Sequence, residues 1–184
     1  MSGKSNVKSN LTLTAIAAVF AALTAVMTAF LHIPSGVNGG YVHVGDAVIF
    51  LAASFLPTPY AVGAAAIGGG LADIISGAPL WAPFTVVIKA LLALLISAKG
   101  EKMLSRRNML MMIPCAAISI AGYYLASAII TVISGGAFGA GLIAAIGEIV
   151  GNLIQAVGST VLYFVVAAVL DKTGFKRFYS SKLA

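Results

Sequence analysis

The sequence predicts an all-α integral membrane protein of six transmembrane helices with both termini cytoplasmic, and three observations carry that prediction. The 184 residues are 60% hydrophobic and only 9% charged, with a mean hydropathy of +1.05, against roughly 25% charged residues in soluble domains. Apolar runs fill nearly the whole chain, which predicts a single transmembrane domain over 1–184 and leaves no room for a nucleotide-binding domain. Finally, every basic residue except Lys89 falls in one of three short regions: a tail over 1–10 (Lys4, Lys8), a loop over 99–108 (Lys99, Lys102, Arg106, Arg107) and a tail over 171–184 (Lys172, Lys176, Arg177, Lys182). Six alternating spans put all three regions on the inside, as the positive-inside rule requires. The net charge of +6 thus reports topology rather than nucleic-acid binding.

The elements follow in order. Leu11 to Phe30 carries no charge and is long enough to cross a core of about 30 Å. Its apolar part exceeds the ~7–15 residues of a secretory signal core, and more spans follow, so it reads as the first helix. Ala17, Ala18, Ala21, Ala22 and Ala25 give it a small-residue face that another helix can approach closely, inside this protein or outside it. His32 to Gly40, rich in Gly, Pro, Ser and Asn and free of Lys and Arg, predicts a flexible outside loop. The second helix is expected from about Val44 to Leu56, stopped by Pro57 and Pro59, and is short for a full crossing. Tyr60 to Ile75 predicts the third, with GAAAIGGG suited to backbone-to-backbone packing. Phe84 to Ala98, Met109 to Ile133 and Leu142 to Leu170 complete the six. They are separated by the outside loop Gly77 to Pro83, the basic inside loop and the outside loop Ser134 to Gly141.

Ionisable groups are costly in hydrocarbon, so those inside the apolar runs are the first candidates for function. Asp73, Lys89 and Glu148 fall at a depth of roughly 6–10 Å below the outer surface, and His43 and Asp46 enter from the same side. Glu148, Asn152 and Gln155 share one helical face, a stripe able to hydrogen-bond an amino- or hydroxyl-bearing ring or, alternatively, to join helices. Asp73 and Lys89 are expected to face each other across the hairpin of the third and fourth helices, as an ion pair or as ligand contacts. Asp46 sits where an N-cap residue would. Tyr41 and Trp81 suit the interfacial belt, and in a cavity would offer flat faces to a planar ligand. Cys115 is the only cysteine, so no intramolecular disulfide forms, and no metal or cofactor site is expected. No nucleophile elbow, HExxH or phosphate-loop pattern is present, and no enzyme is predicted.

YVHVGDAVIFLAA, GGGLADIISG and WAPFTVVIKALLALLIS, with the Ala-rich first helix, resemble the substrate-binding S components of energy-coupling factor (ECF) vitamin transporters. The similarity is greatest to the branch assigned to hydroxymethylpyrimidine or pyridoxine-type precursors. The resemblance implies a subunit of a prokaryotic plasma membrane that captures a small planar vitamin from outside. It then docks on a transmembrane coupling subunit driven by two ATPase subunits. It implies docking through Ala17, Ala18, Ala21 and Ala22, a lid over His32 to Tyr41, and a substrate site built from Tyr41, His43, Asp46, Trp81, Lys89, Glu148, Asn152 and Gln155. The alternative is a stand-alone ion- or proton-coupled transporter that uses Asp46, Asp73, Lys89 and Glu148 as a relay.

Overall fold

A computed structural model describes residues 2–34 and 41–183, and the side chains of 9–33 and 42–179. In chain order the elements are α1 (Ser2–Phe30), β1 (His32–Pro34), β2 (Tyr41–His43), α2 (Asp46–Phe55), α3 (Thr58–Ile75), α4 (Ala82–Leu95), α5 (Arg106–Leu110), α6 (Met112–Ile133), α7 (Phe138–Ala144), α8 (Ile146–Lys172) and α9 (Phe175–Leu183). Among the described residues, four helical stretches are long and apolar enough to cross a membrane: Ser9–Phe30, Thr58–Ile75, Arg106–Ile133 and Ile146–Lys172. The second and fourth expected spans appear as the shorter apolar helices Asp46–Phe55 and Ala82–Leu95. At 1.5 Å per residue α2 is only about 15 Å long; Leu56, extended ahead of Pro57, ends it.

Other boundaries differ from expectation. The loop Ser134 to Gly141 is partly helical, because α7 begins at Phe138 and joins α8 through Ala145. The basic loop closes with α5, whose N-cap Ser105 accepts a hydrogen bond from the Asn108 amide. The tail forms α9 after Gly174, whose φ of 67° lies in the left-handed region that glycine adopts without steric cost. The predicted outside loop begins and ends as an antiparallel β1–β2 ribbon pairing His32 with His43 and Pro34 with Tyr41. Residues 35–40, the middle of the expected lid, lie outside the described residues.

The helices carry their apolar side chains outward. Val19, Val26, Ile67, Ile74, Val87, Ile113, Ile154, Val161 and Val165 are all exposed, whereas His43, Asp46, Asp73, Lys89, Glu148, Asn152 and Gln155 are buried. This is the reverse of a soluble bundle, and hydrocarbon is the solvent that suits it. The glycine run of α3 sets the helix spacing on two sides. A Cβ on Gly68 would lie 2.6 Å from the Ala21 carbonyl oxygen and 2.8 Å from Thr24 Cβ on α1. A Cβ on Gly69 or Gly70 would lie 2.8 Å from Lys89 Cγ or Val86 Cγ2 on α4. Only residues without a side chain permit both approaches. The small-residue face of α1 is correspondingly divided: Ala21 and Ala25 are buried, while Ala18 and Ala22 remain exposed.

At the opposite end from the ribbon, polar side chains satisfy the backbone of the 97–108 segment. Buried Asn108 accepts from the Ser97 amide and donates to the Ser97 and Met103 carbonyls. Asp171 accepts the Met103 and Leu104 amides at 2.8 and 3.0 Å, and Tyr163 donates to the Met103 carbonyl at 2.9 Å. Buried loop backbone needs such partners, and Asn108 and α8 supply them in equal share.

Candidate functional site

The site begins where the ribbon meets α8. Gly151 lets the two elements touch, since a Cβ there would lie 2.9 Å from Val42 Cγ2. One turn further along α8, Gln155 Oε1 accepts the His43 amide at 3.2 Å. The next residues turn the chain into α2, and here a side chain is excluded outright: a Cβ on Gly45 would collide with Thr28 Oγ1. The Gly45 amide donates to His43 Nδ1 at 3.0 Å, which fixes the imidazole against the turn and leaves Nε2 as the proton-bearing nitrogen of the neutral ring.

Asp46 follows, and its role differs from the expected cap. It is the first residue of α2, and no side-chain capping bond is made at that helix end. Its carboxylate instead accepts Lys89 Nζ at 2.5 Å on Oδ1 and Gln155 Nε2 at 3.1 Å on Oδ2. Lys89 therefore pairs with Asp46 and not, as expected, with Asp73. The reason is depth: the lysine stem lies against Gly69, one helical turn inward from Asp73, and its ammonium reaches across to α2. The ammonium also stands 5.1 Å from the centroid of the Tyr123 ring, close enough for a cation–π attraction. Both members of the pair are almost fully buried, at 0% and 3% side-chain exposure, so each charge is stabilised chiefly by the other.

Above this network lies a cavity of about 20 Å³, enough for about one water molecule, lined by His43, Asp73, Trp81, Thr85, Tyr123, Glu148 and Asn152. Trp81 and Tyr123 form one wall, their rings 6.0 Å apart and inclined at 51°, and the Tyr123 hydroxyl donates to Thr85 Oγ1 at 3.3 Å. Glu148 lies in the first turn of α8, where its charge is favoured by the helix dipole. Asn152 donates from Nδ2 to the Glu148 carbonyl at 2.9 Å, which orients its amide along the same face. The arrangement joins two carboxylates, an imidazole, an amide, two hydroxyls and two aromatic faces in one lining.

Of the eight side chains expected to make the site, His43, Trp81, Glu148 and Asn152 line this cavity, whereas Asp46, Lys89 and Gln155 form the layer beneath it. The backbone of Tyr41 lies in β2, and its side chain lies outside the described residues. Sequence reasoning missed Thr85 and Tyr123. Thr85 was legible as the i+4 neighbour of Trp81 on one helical face; Tyr123, in a helix without a charged side chain, carried no charge to draw attention to it.

A second concavity, an apolar groove of about 420 Å³, runs between α1 and α3 and is lined by Ala17, Ala18, Ala21, Ala22, Gly63 and Ala64 among others.

The family model described as "ECF-type riboflavin transporter, S component" matches residues 8–172, which include every element that builds the cavity and the groove. The chain belongs to that family. As an ECF S component it is the substrate-binding subunit of a vitamin transporter and a multi-pass plasma-membrane protein. It is not an enzyme: ECF S components work with a module of a transmembrane subunit and ATPase subunits, and ATP hydrolysis resides in the latter. A comparison with curated proteins gives no match.

Proposed function

We propose that this S component captures a small planar B-vitamin or precursor of the hydroxymethylpyrimidine or pyridoxine type, bound between Trp81, Tyr123 and the polar face of α8. One observation carries this reading: Asp73 and Glu148, both buried, line the same small cavity. An ionised carboxylate accepts hydrogen bonds, so a ligand that donates them suits this lining. An exocyclic amine beside a hydroxymethyl group, or the hydroxyls of a pyridine ring, donates in this way. In this reading His43, Glu148, Asn152 and Tyr41 contact the ligand with Asp73 and Thr85, while Asp46, Lys89 and Gln155 hold the floor. The cavity's volume requires the β1–β2 ribbon to move away from α8 for entry, and a single six-membered ring needs the smaller displacement.

Six crossings with both termini cytoplasmic fit the clustering of basic residues and put the ribbon outside. The α1–α3 groove, with exposed Ala18 and Ala22, would take the coupling subunit, because a flat small-residue surface associates and separates without interlocking side chains. Release then requires a lower affinity in the docked state than in the free one.

The family description favours a second reading, riboflavin, whose tricyclic ring demands a wider opening of the same walls. Trp81 is the only tryptophan, so its fluorescence reports on this site alone. Titrating the purified protein with hydroxymethylpyrimidine, pyridoxine and riboflavin should give saturable quenching by one of the first two and loss of it in Glu148→Ala/Asn152→Ala. Saturation by riboflavin alone would favour the second reading, and unchanged tight binding in the double variant would remove α8 from the site. Vesicles containing this chain alone should show no uptake driven by a pH gradient; uptake would favour the stand-alone transporter.

A further inference from the structure

The end of the molecule opposite the cavity carries an uncompensated positive charge. The 97–108 segment and the tail meet there, since Asp171 holds the Met103 and Leu104 amides and Arg177 pairs with Glu101 at 2.6 Å. That contact gathers Lys99, Lys102, Arg106, Arg107, Lys172, Lys176 and Arg177 around two carboxylates, Glu101 and Asp171, both already engaged.

Lys176 stands apart from the others. It is 4% exposed, and no described residue offers its Nζ a hydrogen-bond acceptor. The helix that carries it is seated on α2. Phe175 and Tyr179 pack against Phe55 at the end of α2, with ring centroids 5.7 and 5.0 Å apart, and the Gly174 turn folds the helix back to make this possible. Burial holds the ammonium below the ordinary lysine range, and the Asp171 charge only partly opposes this. An ammonium withdrawn from water without an acceptor costs free energy that an anion at this spot would restore. The surroundings distinguish the source of that anion. Phe178, on the same helix, is 61% exposed and Phe175 43%, so apolar rings flank the charge as they do in helices that lie in a bilayer interface.

We infer that α9 is an interfacial helix and that Lys176, with the neighbouring cations of the 97–108 segment and Lys172, forms a binding site for the phosphate of an anionic phospholipid. The ammonium donates to a phosphate oxygen, the surrounding basic side chains supply the field, and the phenyl rings contact the acyl region. The site is independent of the vitamin cavity.

The test uses the full chain in a neutral detergent. Thermal unfolding is followed while short-chain phosphatidylglycerol, phosphatidylcholine of the same chain length, or inorganic phosphate is added. A saturable rise in Tm with phosphatidylglycerol, absent with phosphatidylcholine and weaker with phosphate at equal concentration, is the expected result. Lys176→Gln should weaken phosphatidylglycerol binding roughly tenfold, the fold-change of one charge-assisted hydrogen bond, while Lys176→Arg retains it. If Lys176→Gln does not fold, native mass spectrometry of the unaltered chain from mixed micelles should retain phosphatidylglycerol in preference to phosphatidylcholine. Equal shifts with phosphate and phosphatidylglycerol would assign the site to a free anion and overturn the lipid reading. The absence of any headgroup preference would overturn the site itself.

Discussion

The buried pair beneath the cavity invites the most demanding test. Lys89→Met keeps the length of the stem against Gly69 but removes the ammonium, leaving Asp46 buried at 2% exposure with the Gln155 amide, 3.1 Å away, as its remaining side-chain donor among the described residues. Removing one partner of such a pair costs about 3–5 kcal/mol, because the remaining charge has lost its compensation. The cation–π contact with Tyr123 adds about 0.5–2 kcal/mol. At about 2–4 °C per kcal/mol for a chain of this size, Tm should fall by at least about 6 °C. Asp46→Asn/Lys89→Met removes both charges and should recover most of that loss, since replacing a whole buried pair is often close to neutral. The assay is thermal unfolding of the wild type, both single variants and the double variant in one detergent, read as a double-mutant cycle. A loss below about 1 kcal/mol for Lys89→Met, or a double variant no more stable than it, would refute the pairing and the energetic reasoning built on it.

Three further outcomes follow from single contacts. Gly68→Ala should destabilise by about 1–3 kcal/mol, because its Cβ would meet the backbone of α1, whereas Gly63→Ala, with nothing within 4 Å, should be neutral or slightly stabilising; unfolding temperatures check both. Tyr163→Phe removes the hydroxyl that donates to the Met103 carbonyl and lies 2.7 Å from Ser54 Oγ, and should cost about 1–3 kcal/mol with faster proteolysis in the 97–108 segment. Gln155→Leu cuts the tie between α8 and the ribbon, and hydrogen exchange at the His43 amide should quicken at least about tenfold, the equivalent of one lost hydrogen bond; unchanged protection would show that the ribbon is held by other contacts.

The membrane character, the positions of the apolar runs and the polar stripe of α8 were legible because each depends on composition or on a local period. Glu148, Asn152 and Gln155 are spaced to share a helical face, and all three are buried. The small residues of α3 and α1 likewise announced close packing, although not that Gly68 faces one neighbour while Gly69 and Gly70 face another. The breaks at Met111 and Ala145 are marked only by Pro114 and Gly147, each in the first turn of the helix that follows. The helical tail was hidden by its own polarity, since α9 is seated by Phe55, far away in sequence.

Partnership was what only the tertiary structure decided. Asp73 is the nearer acid to Lys89 along the chain, yet the lysine projects from a level one turn deeper and meets Asp46. Tyr123, in a run of apolar residues, becomes a cavity wall only because α6 packs beside α4. The stretch GGYVHVGDAVIFLAA names an imidazole and a carboxylate three residues apart, and folding separates their tasks: His43 lines the cavity, and Asp46 anchors the floor beneath it. Residue types and periodicity thus determined by themselves that this chain lives in a membrane and that the ionisable groups within its apolar runs are candidates for burial there. Which buried charge compensates which depends on helix depth and rotation, quantities set by packing between segments distant in the chain.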